Sequence, residues 1–171
     1  MPPTMNQLVS VDPTAFRQVM RRFPTGVTLL TVRAGDAIHG MTANSFTSVS
    51  LDPVLVLVCI KKNSATHEFV SRAGYFAINI LSDAQELVAR RFAHQVASPA
   101  DPFADLAYHA EATGAPILDD CIGFLDCRVV AAHDAGDHTI FVGEAHALGF
   151  GASREATPLL WLDGTYESLA R

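Results

Sequence analysis

Cysteine is scarce in this 171-residue chain, with only Cys59, Cys121 and Cys127 present. Three thiols cannot all pair within one chain, so a disulfide-stapled fold is excluded. The spacing between Cys121 and Cys127 is not that of a structural zinc site. Reduced thiols acting as small hydrophobes are the expectation. Long apolar runs are also missing. The longest, "VLVLVCI" at 54–60, has seven residues, against the ~20 needed to cross a bilayer as a helix. The amino-terminal "MPPTMNQLVSVDPT" lacks the charged-then-apolar layout of a secretory signal. These absences predict a cytoplasmic protein with no membrane partner. Basic residues are the minority, 12 Lys and Arg against 18 Asp and Glu, for a net charge of -6. With no basic run, nucleic acid is not expected as a partner. Neither a G-x-G-x-x-G nor a G-x-x-x-x-G-K-[ST] occurs, which removes the usual dinucleotide and P-loop devices, and no G-x-S-x-G marks a hydrolase nucleophile.

What remains is an ordinary globular composition, 49% hydrophobic and 18% charged, in a chain long enough for one domain with a sizeable core. We read a single domain over 1–171, with its core at about 12–166. Asp12 and Pro13 open a helix carrying Phe16, Val19, Met20 and Phe23 as one apolar stripe, stopped by Pro24. "GVTLLTVRA" and "AIHGMTANSFTSVS" read as two strands around a turn at Gly35 and Asp36. "VLVLVCI" reads as a strand buried on both faces, and "YFAINIL" as a half-buried one. Ser64 and Gly74 bound a helix between them. A third helix opens with the Ser82/Gln85 capping box and buries Leu87, Val88 and Phe92. Residues 95–105 form a loop, and two long β segments follow around Gly136 and Asp137. Six or seven strands joined mostly by short turns, with two or three inserted helices, predict an antiparallel sheet closed into a barrel.

One stretch stands out chemically. "GMTANSFTSVSLDPVLVLVC" sets Thr42, Asn44, Ser45, Thr47, Ser48 and Ser50 immediately before the apolar run. Hydroxyls, an amide and exposed backbone N-H groups suit phosphate oxygens or ring carbonyls. Lys62, Asn63, Ser64 and Thr66 add a cation and a helix amino terminus. Ser/Thr-rich strands that merely face water have the same inventory, so the residues alone leave function open. His133 and His138 bracket a turn but lack a third ligand, so no metal is expected.

In combination, "FPTGVTLLTV", "GMTANSFTSVSLDPVLVLVCI", "NSATHEFVSRAGYFAINIL", "QELVARRFA" and "GDHTIFVGEAHAL" resemble the short-chain flavin reductases, the small components of two-component flavin-dependent monooxygenases. The resemblance runs from about Phe16 to Tyr166. It implies a mainly β, α+β fold, an antiparallel split β-barrel that dimerises. It also implies FMN or FAD in a groove near the subunit interface, NADH or NADPH as hydride donor, and a separate monooxygenase receiving the reduced flavin. Carried over, Thr42, Ala43, Asn44 and Ser45 are flavin contacts, with Ser48, Val49 and Ser50 beside them. Cys59, Ile60, Lys61, Lys62 and Ser64 lie toward the phosphate end, and Phe92 on the flavin-facing side. Gly136, Asp137 and His138 are similar to the family's nicotinamide-binding motif, with His138 as the catalytic candidate. In "WLDGTYESL" Asp163 stands where relatives often carry a basic residue, which leaves only Tyr166 as a possibility at that end. Two rivals stay open: a flavin-retaining oxidase of the pyridoxamine phosphate oxidase type, and a noncatalytic flavin- or haem-binding module.

Overall fold

The computed structural model describes residues 8–170. Residues 1–7, part of the amino-terminal stretch read above as lacking a secretory layout, and Arg171, the last of the expected domain, lie outside the described residues. Helix α1 (Pro13–Met20) starts as expected: Asp12 Oδ1 accepts from the backbone N-H of Thr14 at 2.8 Å and of Ala15 at 3.0 Å. Its apolar stripe is not covered. None of its residues is buried, and Phe16, Val19, Met20 and Phe23 are exposed.

The strands follow in order: β1 (Thr25–Gly26), β2 (Thr28–Ala34), β3 (Ala37–Ala43), β4 (Phe46–Leu51) and β5 (Val54–Lys61). After α2 (Ala65–Ala73) come β6 (Tyr75–Ile80), a 3-10 turn (Asp83–Gln85) and α3 (Glu86–Phe92). The chain then makes β7 (Tyr108–Ala110), β8 (Pro116–Leu118), β9 (Gly123–Ala135), β10 (His138–Phe150), β11 (Leu159–Leu162) and β12 (Thr165–Ser168). Seven strands form the main sheet in the order β3-β2-β6-β9-β10-β5-β4, every neighbouring pair antiparallel. Two small sheets, β1-β11-β12 and β7-β8, complete the described residues.

The expected single strand over 37–50 is in fact two, broken at Asn44 and Ser45. The break has a large consequence, because β3 and β4 are the opposite edges of the sheet. In a flat sheet, six spacings of about 4.8 Å would hold those edges about 29 Å apart. The three links from Ala43 to Phe46 span at most about 11 Å. The sheet therefore curls until its edges nearly meet at this corner. No ladder joins β3 to β4, so the expected closure into a barrel is not made by hydrogen bonds among the described residues.

Curling gives the sheet an inside. Leu30, Val32, Val58, Ile60, Phe76 and Ile78 fill it as one apolar cluster. A second cluster, including Leu29, Leu81, Phe92 and Leu159, lies under α3 on the other face of β2. The two strand expectations trade places. On β5 only Val56, Val58 and Ile60 are buried, and Leu55, Leu57 and Cys59 are half-buried. On β6 four successive residues, Phe76 to Asn79, are fully buried. The reason is cover: Ala115 and Ile117 lie over the outer face of β6, whereas among the described residues Leu55, Leu57 and Cys59 on the second face of β5 belong to no core cluster. The Asn79 carboxamide closes that cover, donating to Leu29 O at 3.0 Å and accepting from Leu118 N at 2.8 Å.

In α3 the expected burial of Leu87 fails; it is 71% exposed. The capping contact is present, with Ser82 N donating to Gln85 Oε1 at 3.0 Å. The tighter 3-10 first turn shifts the phase, so the inward positions are Gln85, Ala89 and Phe92.

Candidate active site

The corner at Asn44 and Ser45 opens onto a groove of about 800 Å³, within the roughly 300–1,000 Å³ usual for small-molecule clefts. Its walls include Phe16 and Met20 of α1, Phe46 and Thr47 of β4, and Leu57 and Cys59 of β5. The half-buried face of β5 is thus the groove floor. Ser45 is pinned to that floor: Cys59 N donates to Ser45 O at 3.1 Å, and Ser45 Oγ donates to Cys59 O at 2.9 Å. Thr42 Oγ1 donates to Ala89 O on α3 at 2.6 Å, and Ala43 O accepts from Thr28 Oγ1 at 2.8 Å.

These bonds change what the polar stretch offers. The hydroxyl protons of Thr42 and Ser45 are committed to backbone carbonyls, which leaves their oxygen lone pairs as acceptors. Donors at the corner are the Asn44 carboxamide, which has no hydrogen-bond partner among the described residues, and free backbone N-H groups. A flavin ring edge carries both carbonyl acceptors and an imide N-H donor, so this mixed set fits it.

The far wall was largely missed by the sequence reading. Trp161 of β11 and Tyr166 of β12 meet edge to face at 4.9 Å, and the Arg90 guanidinium lies 4.8 Å over the Tyr166 ring. With Thr42, Asn44 and Gln95, the Trp161 and Tyr166 rings line a cleft of about 190 Å³ that shares Asn44 and Trp161 with the main groove. The available signal was that Trp161 is the chain's only tryptophan, five residues before Tyr166. Asp163 has a simpler explanation than a lost ligand contact. It sits at φ 55 beside Gly164 at φ 87 in a two-residue hairpin turn, where Asp-Gly is a favoured pair. Its side chain lies 3.3 Å from Arg22.

The Gly136 and Asp137 turn caps the β9-β10 hairpin, with Gly136 at φ 64. His138 pairs with Lys61 across the ladder, and Ile140 with Cys59. Directly paired residues share a face, so His138, Ile140 and Cys59 all lie on the groove side of the sheet. His138 is the diagonal neighbour of Cys59, a relation that spaces two residues about 7–8 Å apart, with their Cβ atoms somewhat closer. The His138 Nδ1 lies 2.8 Å from Asp137 Oδ1. That hydrogen bond, then the imidazole's charge, holds the Asp137 carboxyl below the usual carboxylate range.

The remaining candidates separate. Lys62 and Ser64 stand at the same end of β5 as the turn: Ser64 caps α2, accepting from His67 N at 3.2 Å and donating to Lys61 O at 2.7 Å. Lys61 is exposed. Ile60 points into the core, which leaves only its backbone for a ligand. Ser48, Val49 and Ser50 lie farther along β4, at a bulge that leaves Val49 unpaired and half exposed. Phe92 is 5% exposed, meets Phe103 at 4.8 Å with its ring tilted by 55° beside Gly40, and packs in the cluster under α3. The described residues contain no cluster of metal-binding side chains.

The chain is similar to known flavin reductases over most of its length. The chain is 40% identical over 157 residues to the FMN reductase (NADH) SmoA of Agrobacterium fabrum, covering 92% of this chain and 86% of that one. It is 33% identical over 159 residues to the flavin-dependent monooxygenase reductase subunit HsaB of Mycobacterium tuberculosis, covering 93% and 83%. The solved NADH:FAD oxidoreductase SgcE6 of Streptomyces globisporus, in complex with NAD and FAD fragments, superposes with a TM-score of 0.87 at 36% identity, over 96% of this chain and 98% of that one. The family model described as "Flavin reductase like domain" matches residues 20–170, and the chain belongs to that family.

Proposed function

We propose that this chain is an NADH-dependent flavin reductase that reduces FMN or FAD and releases it to a separate flavin-dependent monooxygenase. The observation that carries the reading is the shared face: Ser45 and Cys59 line a groove of ligand size, and His138 lies on the same face of the sheet as Cys59. Bound there, flavin supplies a ring that accepts hydride from a nicotinamide. The protein's part is positioning and electrostatics. Cys59, Leu57 and Trp161 offer flat apolar surface for one ring. The Asn44 amide and the corner's N-H groups suit the side on which negative charge develops, and the Thr42 and Ser45 oxygens suit the imide and ribityl hydroxyls. Gly136, Asp137 and His138 would orient the donor for hydride transfer.

We infer also that the curled sheet is the core of a split barrel, that residues 1–171 form one domain with its core at about 12–166, and that two copies pair. The uncovered stripe of α1 beside the groove supports pairing. No helix among the described residues is long and apolar enough to cross a membrane, and three free thiols suit a reducing compartment such as the cytoplasm.

The test is steady-state oxidation of NADH and NADPH with added FMN, FAD or riboflavin. Turnover should require added flavin and favour NADH. An absence of flavin-stimulated turnover overturns the reading. Flavin that remains bound and is oxidised without exchange points instead to a flavin-retaining oxidase.

A further inference from the structure

The hairpin tip that carries His138 is held by an unexpected residue. Lys62 contacts it three ways. Its backbone N-H donates to Asp137 O at 3.0 Å, its ammonium donates to Gly136 O at 2.6 Å, and the same ammonium pairs with the Asp134 carboxylate. Both central carbonyls of the turn are therefore fixed by one side chain and its own backbone. From the next helical turn, His67 Nε2 lies 2.9 Å from Thr139 Oγ1, immediately after His138. An exposed two-residue hairpin tip without such partners belongs to the least stable part of a fold and opens readily.

We propose that Lys62 is a positioning residue: it clamps the Gly136 and Asp137 turn and thereby sets where His138 stands on the groove-side face of the sheet. The assignment rests on the reductase reading for what His138 does, though not for the clamp itself. It differs from the expectation that Lys62 meets a flavin phosphate. An ammonium already bound to a carboxylate and a carbonyl has one N-H left to give and its charge largely balanced.

The lysine's chemistry makes the idea separable from its rival. Lys62→Met keeps the aliphatic stem and the backbone N-H but removes the clamp. Amide hydrogen exchange over residues 135–139 should quicken in this variant. The kcat/KM for NADH should fall about tenfold or more, since small misplacements of an orienting group are costly. The KM values for FMN and riboflavin should keep their wild-type ratio. Lys62→Arg, which can make both side-chain contacts, should restore much of the loss, and Asp134→Asn should give a weaker version of it. Riboflavin lacks the phosphate, so a selective rise in the FMN value with unchanged exchange at the turn overturns the proposal in favour of phosphate binding. Unchanged exchange and kinetics also overturn it. A wild-type protein without flavin-dependent NADH oxidation sinks the reductase reading alone, because the exchange measurement still decides whether Lys62 clamps the turn.

Discussion

Among individual residues, the groove separates side chains that look alike in the sequence. Cys121 and Cys127 are fully buried, and burial pushes their thiols up to about 11 and about 12, whereas Cys59 is half-buried on the groove floor. Thiolate is the reactive form and needs access. Iodoacetamide at pH 8 should therefore label Cys59 alone, and saturating FMN should slow it; mass spectrometry reads both. Labelling of Cys127 first, or a Cys59 rate indifferent to FMN, contradicts the placement. His138→Ala should raise the KM for NADH or lower kcat about tenfold, the scale of one hydrogen bond to a charged partner, while flavin affinity stays nearly constant. Collapse of flavin binding in that variant would show that His138 was misassigned. The same substitution should return the Asp137 carboxyl toward its ordinary value, visible in an NMR pH titration, because the His138 hydrogen bond is the main cause of its depression. A depressed carboxyl stabilises the folded turn above the unfolded value of about 3.9. That contribution fades as pH falls through the lower folded value.

At the scale of elements, burial pattern decided what periodicity could not. The run "VLVLVCI" is apolar on both faces, which reads as full burial, yet one face of β5 meets the groove. "YFAINIL" alternates as a half-buried strand does, yet the β8 segment covers its second face. A strand's own residues cannot report which neighbour will cover it. The long β9-β10 pairing is tight enough to expose a single methyl. A Cβ at Gly143 would stand 2.7 Å from Phe76 Cζ and 2.9 Å from Cys127 Cβ. Both neighbours are fully buried and have no room to retreat. Gly143→Ala should cost about 1–3 kcal/mol, seen as a lower Tm or an earlier denaturation midpoint. An unchanged midpoint would mean that the interior of the sheet is looser than its contacts indicate.

For the molecule as a whole, the unresolved demand is the apolar surface. Phe16, Val19 and Met20 of α1 and Phe23 just after it are 45–64% exposed, and Leu148 and Phe150 are exposed at the far end of β10. A contiguous stripe of this kind normally meets a partner. Phe16→Asp together with Val19→Asp should shift the chain from dimer to monomer in sedimentation, with little change in the far-ultraviolet circular dichroism of the sheet. A protein that is monomeric without the changes would remove the pairing reading.

The sequence by itself determined the helix starts at Asp12, Ser64 and Ser82, because a cap needs only a short side chain and the few N-H groups after it. It also determined the family, since that likeness is carried by residues in order along the chain. Only the tertiary structure decided that β3 and β4, neighbours in sequence, are opposite edges of one sheet brought together at Asn44 and Ser45. It alone set Cys59 and His138, 79 positions apart, on the same face. The physical reason is that strand register and sheet curl are settled by long-range hydrogen bonds and by the filling of a shared core, neither of which is encoded in any short window of residues.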